Sequence, residues 1–162
     1  MGLLKFKVVA ASGLKKADTF GKSDPYCVVF SGEARVGKTT VQKKTLEPEW
    51  NADFELIFEE NEEGEINANS EALRFEIFDK DLIGAHDFLG MYELSGETLL
   101  EFVASKTGNS KTLPLLEKDG SKGQGSITLA FTSYAKDEQI SKDASKDRKN
   151  AILMRIIRAD DL

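Results

Sequence analysis

Leu4, Phe6 and Val8 alternate with Lys5 and Lys7 near the start of this chain. A period of two is what a strand with one buried and one wet face requires. The pattern returns at 26–30, 39–45, 54–58, 73–78, 89–93, 111–115 and 126–131, in runs bounded by Gly, Asp, Asn or Pro. Short strands punctuated in this way predict an all-β fold, an eight-stranded antiparallel β-sandwich. One segment departs from it. Residues 96–105, GETLLEFVAS, set Leu99, Leu100 and Val103 at helical spacing and predict one or two turns of helix that pack two leucines within a connection.

The chain has 162 residues, 40% of them hydrophobic and ten of them Phe, so a single core can account for most of it. A net charge of −6 argues against duplex nucleic acid as the main partner. The imbalance is local: EENEEGEINANSE, from Glu59 to Glu71, holds six carboxylates and no Lys or Arg, and reads as a solvated loop. Cys27 is the sole cysteine, which rules out an internal disulfide and suits a reducing, cytoplasmic compartment. No apolar run is long enough to span a membrane, and Phe6 stands where a myristoylation motif has Ser or Thr.

Two boundaries follow from composition. A first domain covers 1–135, and a polar, aperiodic linker covers 136–150. Residues 152–162, ILMRIIRADDL, align without gaps onto LKFKVVAASGL at 4–14, so 151–162 is expected to be the first strand of a second, truncated copy of the domain.

The string GEARVGKT, from Gly32 to Thr39, fits the phosphate-loop consensus at every fixed position. A phosphate loop, however, must open a helix whose first amides face the phosphates. KTTVQKKTLEPEW offers β-branched residues and an early Pro48 instead. Arg74 and Glu76 alternate with Leu73, Phe75 and Ile77, so the nearest candidate partner strand has a wet face, which a central parallel strand would not tolerate. GEARVG is therefore expected to be a Gly-rich hairpin between antiparallel strands, with no bound nucleotide.

Five aspartates stand at strand ends in two loops: Asp18 and Asp24 in LKKADTFGKSDPY, and Asp79, Asp81 and Asp87 in FDKDLIGAHDFLG. If both loops emerge at one end of a sandwich, the converging carboxylates repel one another and call for cations. All-oxygen donors without a Cys pair select calcium over zinc or copper. A single EF-hand loop does not fit, because Ile83 and Gly90 occupy its fifth and twelfth positions. The site must be assembled from two loops. No nucleophile has a neighbouring base, and one His and one Cys leave nothing from which to build an active site, so no enzymatic activity is expected.

From Gly2 to Ser133 the chain resembles a C2 domain, the calcium- and phospholipid-binding sandwich. LLKFKVVAASGL, DTFGKSDPYCVVF, KKTLEPEWNADFEL, LRFEIFDKD, DFLG and GQGSITLAF carry the likeness, and the opening strand leading straight into the first loop suggests the permuted, type II strand order. The resemblance implies that Asp18, Asp24, Asp79, Asp81 and Asp87 hold two calcium ions, or three, with Gly84 standing where some relatives place a serine ligand. It also implies that the apolar loop residues Phe20, Leu82 and Ile83 insert into lipid. Lys38, Lys43 and Lys44 are the expected contacts for an anionic headgroup, phosphatidylserine or phosphoinositide; read as a strand, Lys38 and Lys44 share a face and Lys43 does not. His86 is expected to be an exposed loop histidine, and Trp50 to pack in the sandwich edge. The implied protein is a monomeric cytoplasmic module recruited to membranes when calcium rises, the first of a tandem pair. The alternatives are a calcium-independent protein-interaction C2 domain and a regulatory piece of a larger membrane-acting enzyme.

Overall fold

The computed structural model describes residues 1–16, 23–63, 72–81 and 84–136. Asp18, Phe20, Leu82, Ile83 and the whole of 137–162, with most of the linker and the second-copy strand, lie outside them. In chain order the elements are β1 (Gly2–Ser12), β2 (Pro25–Ser31), β3 (Ala34–Lys38), β4 (Glu49–Phe58), β5 (Ala72–Asp79), β6 (Asp87–Ser95), α1 (Gly96–Val103), β7 (Ser110–Leu116) and β8 (Lys122–Lys136). The strand order is β3-β2-β5-β6-β7-β8-β1-β4, antiparallel throughout. Among the described residues β6 and β7 meet in register only at Met91 and Leu116. The ladder therefore bends there into two four-stranded sheets that close on one core.

The alternation in β1 shows how that core is built. Leu4, Phe6 and Val8 are almost completely buried, while Lys5 and Lys7 point outward to Glu55 and Asp53, their register partners on β4, at 3.5 and 3.8 Å. Phe6 stacks on Phe54 of its own sheet at 5.5 Å and meets Phe75 of the opposite sheet edge-on at 6.0 Å. Its third ring contact, at 6.5 Å, is Phe102 of α1, which covers one end of the sandwich. The helix buries Leu99 and Phe102 and leaves Leu100 38% exposed, so the expected leucine pair is replaced by a leucine and a phenylalanine three residues apart. Thr98 starts the helix by accepting from the Ser95 N–H at 3.0 Å and donating to the Ser95 carbonyl at 2.8 Å.

GEARVGKT is a β-hairpin. Ser31 pairs with Ala34 across a two-residue turn, and Gly32 takes φ 57° at its first central position, where side-chain-bearing residues are strained. Gly37 lies inside β3, not in the turn: a Cβ there would stand 3.3 Å from the Phe54 ring, so its bareness lets the two sheet edges approach. The strand expected at 39–45 is absent. The Thr39 side chain explains where β3 stops, because its Oγ1 accepts the Cys27 N–H at 2.9 Å and takes the donor a continuing strand would have used. Residues 39–48 run instead as an irregular connection to β4.

Replacing Phe6 with Ala removes the ring that three other aromatics share. It is expected to destabilise the domain by about 3 to 5 kcal/mol, read as a lower urea midpoint with an unchanged m-value.

Candidate metal centre

Antiparallel pairing fixes which strand ends meet. Pro25 of β2 is opposite Asp79 of β5, and Asp79 is opposite Asp87 of β6, so the start of β2, the end of β5 and the start of β6 lie side by side. The loops at 13–24 and 80–86 leave from these ends. One carboxylate oxygen from each of Asp79, Asp81 and Asp87 lies within 4.8 Å of the others. Oxygens bound to a single calcium at about 2.3 to 2.6 Å can be no more than about 5 Å apart, so the donor set and its spacing fit that ion.

Burial within the set is graded. Asp79 is 1% exposed, Asp24 and Asp81 are half-buried and Asp87 is exposed. A buried carboxylate needs donors, and the Asp24 N–H supplies one to Asp79 Oδ1 at 2.7 Å. Lys80 N–H donates to the Asp24 carbonyl at 3.0 Å and Lys44 N–H to Asp24 Oδ1 at 2.7 Å. Asp24 thus touches both remaining loops at this end of the sandwich. At the separation within the set, two ionised carboxylates repel by about 1 kcal/mol in water and by about 3 kcal/mol at an effective dielectric of 20, and a divalent cation would relieve that.

The lysines are placed differently from expectation. Lys38 ends β3 opposite Val28, exposed on the outer face of the sheet. Lys43 and Lys44, also exposed, belong to the irregular connection, so the strand argument that put Lys38 and Lys44 on one face does not hold. Arg35 is the residue that shares the outer face with Lys38, opposite Phe30, and Arg74 covers the same Phe30 ring at 4.6 Å. The sequence-based reading missed Arg35 by starting the strand five residues late; the hairpin turn at Gly32 was the available signal.

An aromatic group lies beside the carboxylates. Tyr26, Phe78 and Phe88 form a row of ring contacts, at 5.9 and 6.0 Å. His86 is exposed as expected, and its Nδ1 meets the Tyr26 hydroxyl. Burial pushes the Tyr26 phenol up, which Arg35 partly opposes. Phe88 follows Asp87 directly and carries the Lys118 and Lys15 ammonium groups at 5.0 and 5.7 Å from its ring centre. Trp50 is 8% exposed and donates from Nε1 to the Pro25 carbonyl at 3.3 Å, so it anchors the start of the strand that follows Asp24.

Residues 2–115 match the family model described as C2 domain. The chain is 30% identical over 158 residues to Synaptotagmin-3 of Arabidopsis thaliana, across 93% of this chain and 28% of that protein. It is 33% identical over 152 residues to the Calcium-dependent lipid-binding protein of Arabidopsis thaliana, across 91% of this chain and 28% of that one. Among solved structures, a C2 domain of plant Extended Synaptotagmin 1 superposes with a TM-score of 0.62 at 28% identity, covering 82% of this chain and 95% of that domain. The chain thus spans under a third of the length of these curated relatives.

Glu47, in the connection 39–48, accepts from the Ser12 hydroxyl and from the Gly13 N–H, the latter at 2.9 Å. These bonds hold its carboxyl below the usual value, the Ser12 contribution being the larger. A depressed folded-state value contributes stability that is complete above the unfolded value and lost as pH falls through the folded one. In an NMR titration of the side-chain carboxyls, Glu47 is expected to titrate below the ordinary glutamate value, and Ser12→Ala to move it back up.

Proposed function

The chain belongs to the C2 domain family, and from that premise we propose that it binds anionic phospholipid membranes in a calcium-dependent manner. The observation that carries this reading is the convergence of Asp79, Asp81 and Asp87 at one end of the sandwich, with Asp24 bonded to Asp79. These four residues, with Asp18 of the first loop, would hold the calcium, two ions or three. Bound calcium supplies positive charge and open coordination positions for lipid phosphate.

The chain's own residues then divide the work. Without the cation, the carboxylates repel an anionic surface; with their charge compensated, Lys38, Lys43 and Lys44 no longer compete with a negative neighbour. Each lysine brought near an anionic leaflet is worth about 1 kcal/mol. Arg35 adds a guanidinium on the same outer face as Lys38. Phe20, Leu82 and Ile83 are the residues of the two acidic loops suited to enter the lipid interface, each contributing about 1.5 to 3 kcal/mol if fully buried. The relative named for calcium-dependent lipid binding supports this assignment. The domain is a targeting module that acts as a monomer in the cytoplasm and moves to membranes when calcium rises, and 151–162 begins a second module.

Co-sedimentation with phosphatidylserine-containing vesicles tests this. The wild type is expected to pellet in calcium and remain in the supernatant in chelator, and Asp79→Asn with Asp81→Asn to remain in the supernatant in both. Equal pelleting of the wild type in calcium and in chelator would overturn the switch and favour a calcium-independent interaction domain.

A further inference from the structure

The connection 39–48 is a strap across the mouth of the first loop. On one stem of that loop, Ala11 N–H donates to the Pro48 carbonyl at 3.0 Å and Leu14 N–H to the Leu46 carbonyl at 3.2 Å, beside the Gly13 bond to Glu47. On the other stem, Gln42 N–H donates to the Pro25 carbonyl at 3.0 Å and Thr45 N–H to the Ser23 carbonyl at 2.9 Å. Between those two bonds the strap reaches a candidate ligand, Lys44 N–H donating to Asp24 Oδ1 at 2.7 Å.

The backbone at that point is unusual. Lys44 has φ 53°, in the left-handed region that side-chain-bearing residues seldom occupy, and it is one of two non-glycine residues there among the described residues. The turn at Lys44 lies between its own amide, bonded to the Asp24 carboxylate, and the Thr45 amide, bonded to the Ser23 carbonyl, and so sets how these two donors are aimed relative to each other. The Asp24 backbone N–H separately donates to Asp79 Oδ1, so one residue bonds the strap through its side chain and a buried carboxylate of the acidic set through its backbone.

We propose that Lys44 is a positioning residue for the cation site, acting through its left-handed backbone and not through its ammonium group. This rests on the calcium reading above. Asp24 keeps lone pairs for a cation while the amide fixes its rotation, so less ordering remains for the cation to impose. A residue that resists the left-handed region lets the strap relax in the cation-free protein, and cation binding must then restore it.

The test separates backbone from charge. Lys44→Gly, Lys44→Asn and Lys44→Val all remove the ammonium but differ in tolerance of positive φ, glycine most and valine least. Calcium affinity of the full 162-residue chain, measured by titration calorimetry, is expected to be similar for glycine and asparagine and about 5- to 30-fold weaker for valine. If the valine variant does not fold, Lys44→Ala takes its place, with a smaller loss in the same direction. Thermal unfolding in chelator is measured alongside. Affinities within twofold across the series, with melting temperatures that still differ, would show a purely structural role and overturn the proposal alone. A wild type that binds no calcium would overturn the calcium reading and this proposal together.

Discussion

The in-register pairing of β2, β5 and β6 is the constraint on which the acidic site depends. A one-residue slip of a strand exchanges its faces, and here it would turn Phe75 and Ile77 outward and bury Arg74 and Glu76. The hydrophobic core therefore holds the register, and the register brings Asp79 opposite both Pro25 and Asp87. Asp79 has inward parity at the end of β5, which puts a carboxylate at the margin of the core with little access to water. Bonding to the Asp24 amide answers part of its need for donors and commits the first loop to the same place.

Around this corner backbone hydrogen bonds join the aromatic contacts in tying the chain together. Residues 39–48 have no regular structure, yet they bond both stems of the first loop, and Trp50 pins the beginning of β2 from the start of β4. At the opposite end, α1 caps the core through Leu99 and Phe102, and Tyr134 donates to Glu60 at 2.8 Å.

Much of the fold was legible because alternation is a local property. Leu4, Phe6 and Val8 announce a strand wherever the partner lies, and the same holds for Leu73, Phe75 and Ile77. The third strand was misplaced for a physical reason. Thr39 and its neighbours have strand character, but the Thr39 hydroxyl takes the Cys27 amide and ends the ladder, while Arg35 and Lys38 extend the hairpin into a stretch that looked like a loop. The acidic residues at 79, 81 and 87 were legible as a set because they are close in sequence. Asp24 was read as a member of the acidic set, but its bonds to an amide at 44 and a carboxylate at 79 were not legible.

By itself, then, the sequence determined the alternating strands, the eight-stranded sandwich and a hairpin in place of a nucleotide loop at GEARVGKT, because each shows in residue type along the chain. Tertiary structure alone decided that Gly37 is bare to admit Phe54, that Arg35 joins Lys38 on the outer face, and that a left-handed turn at Lys44 steadies Asp24. Those outcomes depend on which backbone passes which, and no short-range pattern encodes the approach of Gly37 to Phe54 or of Lys44 to Asp24.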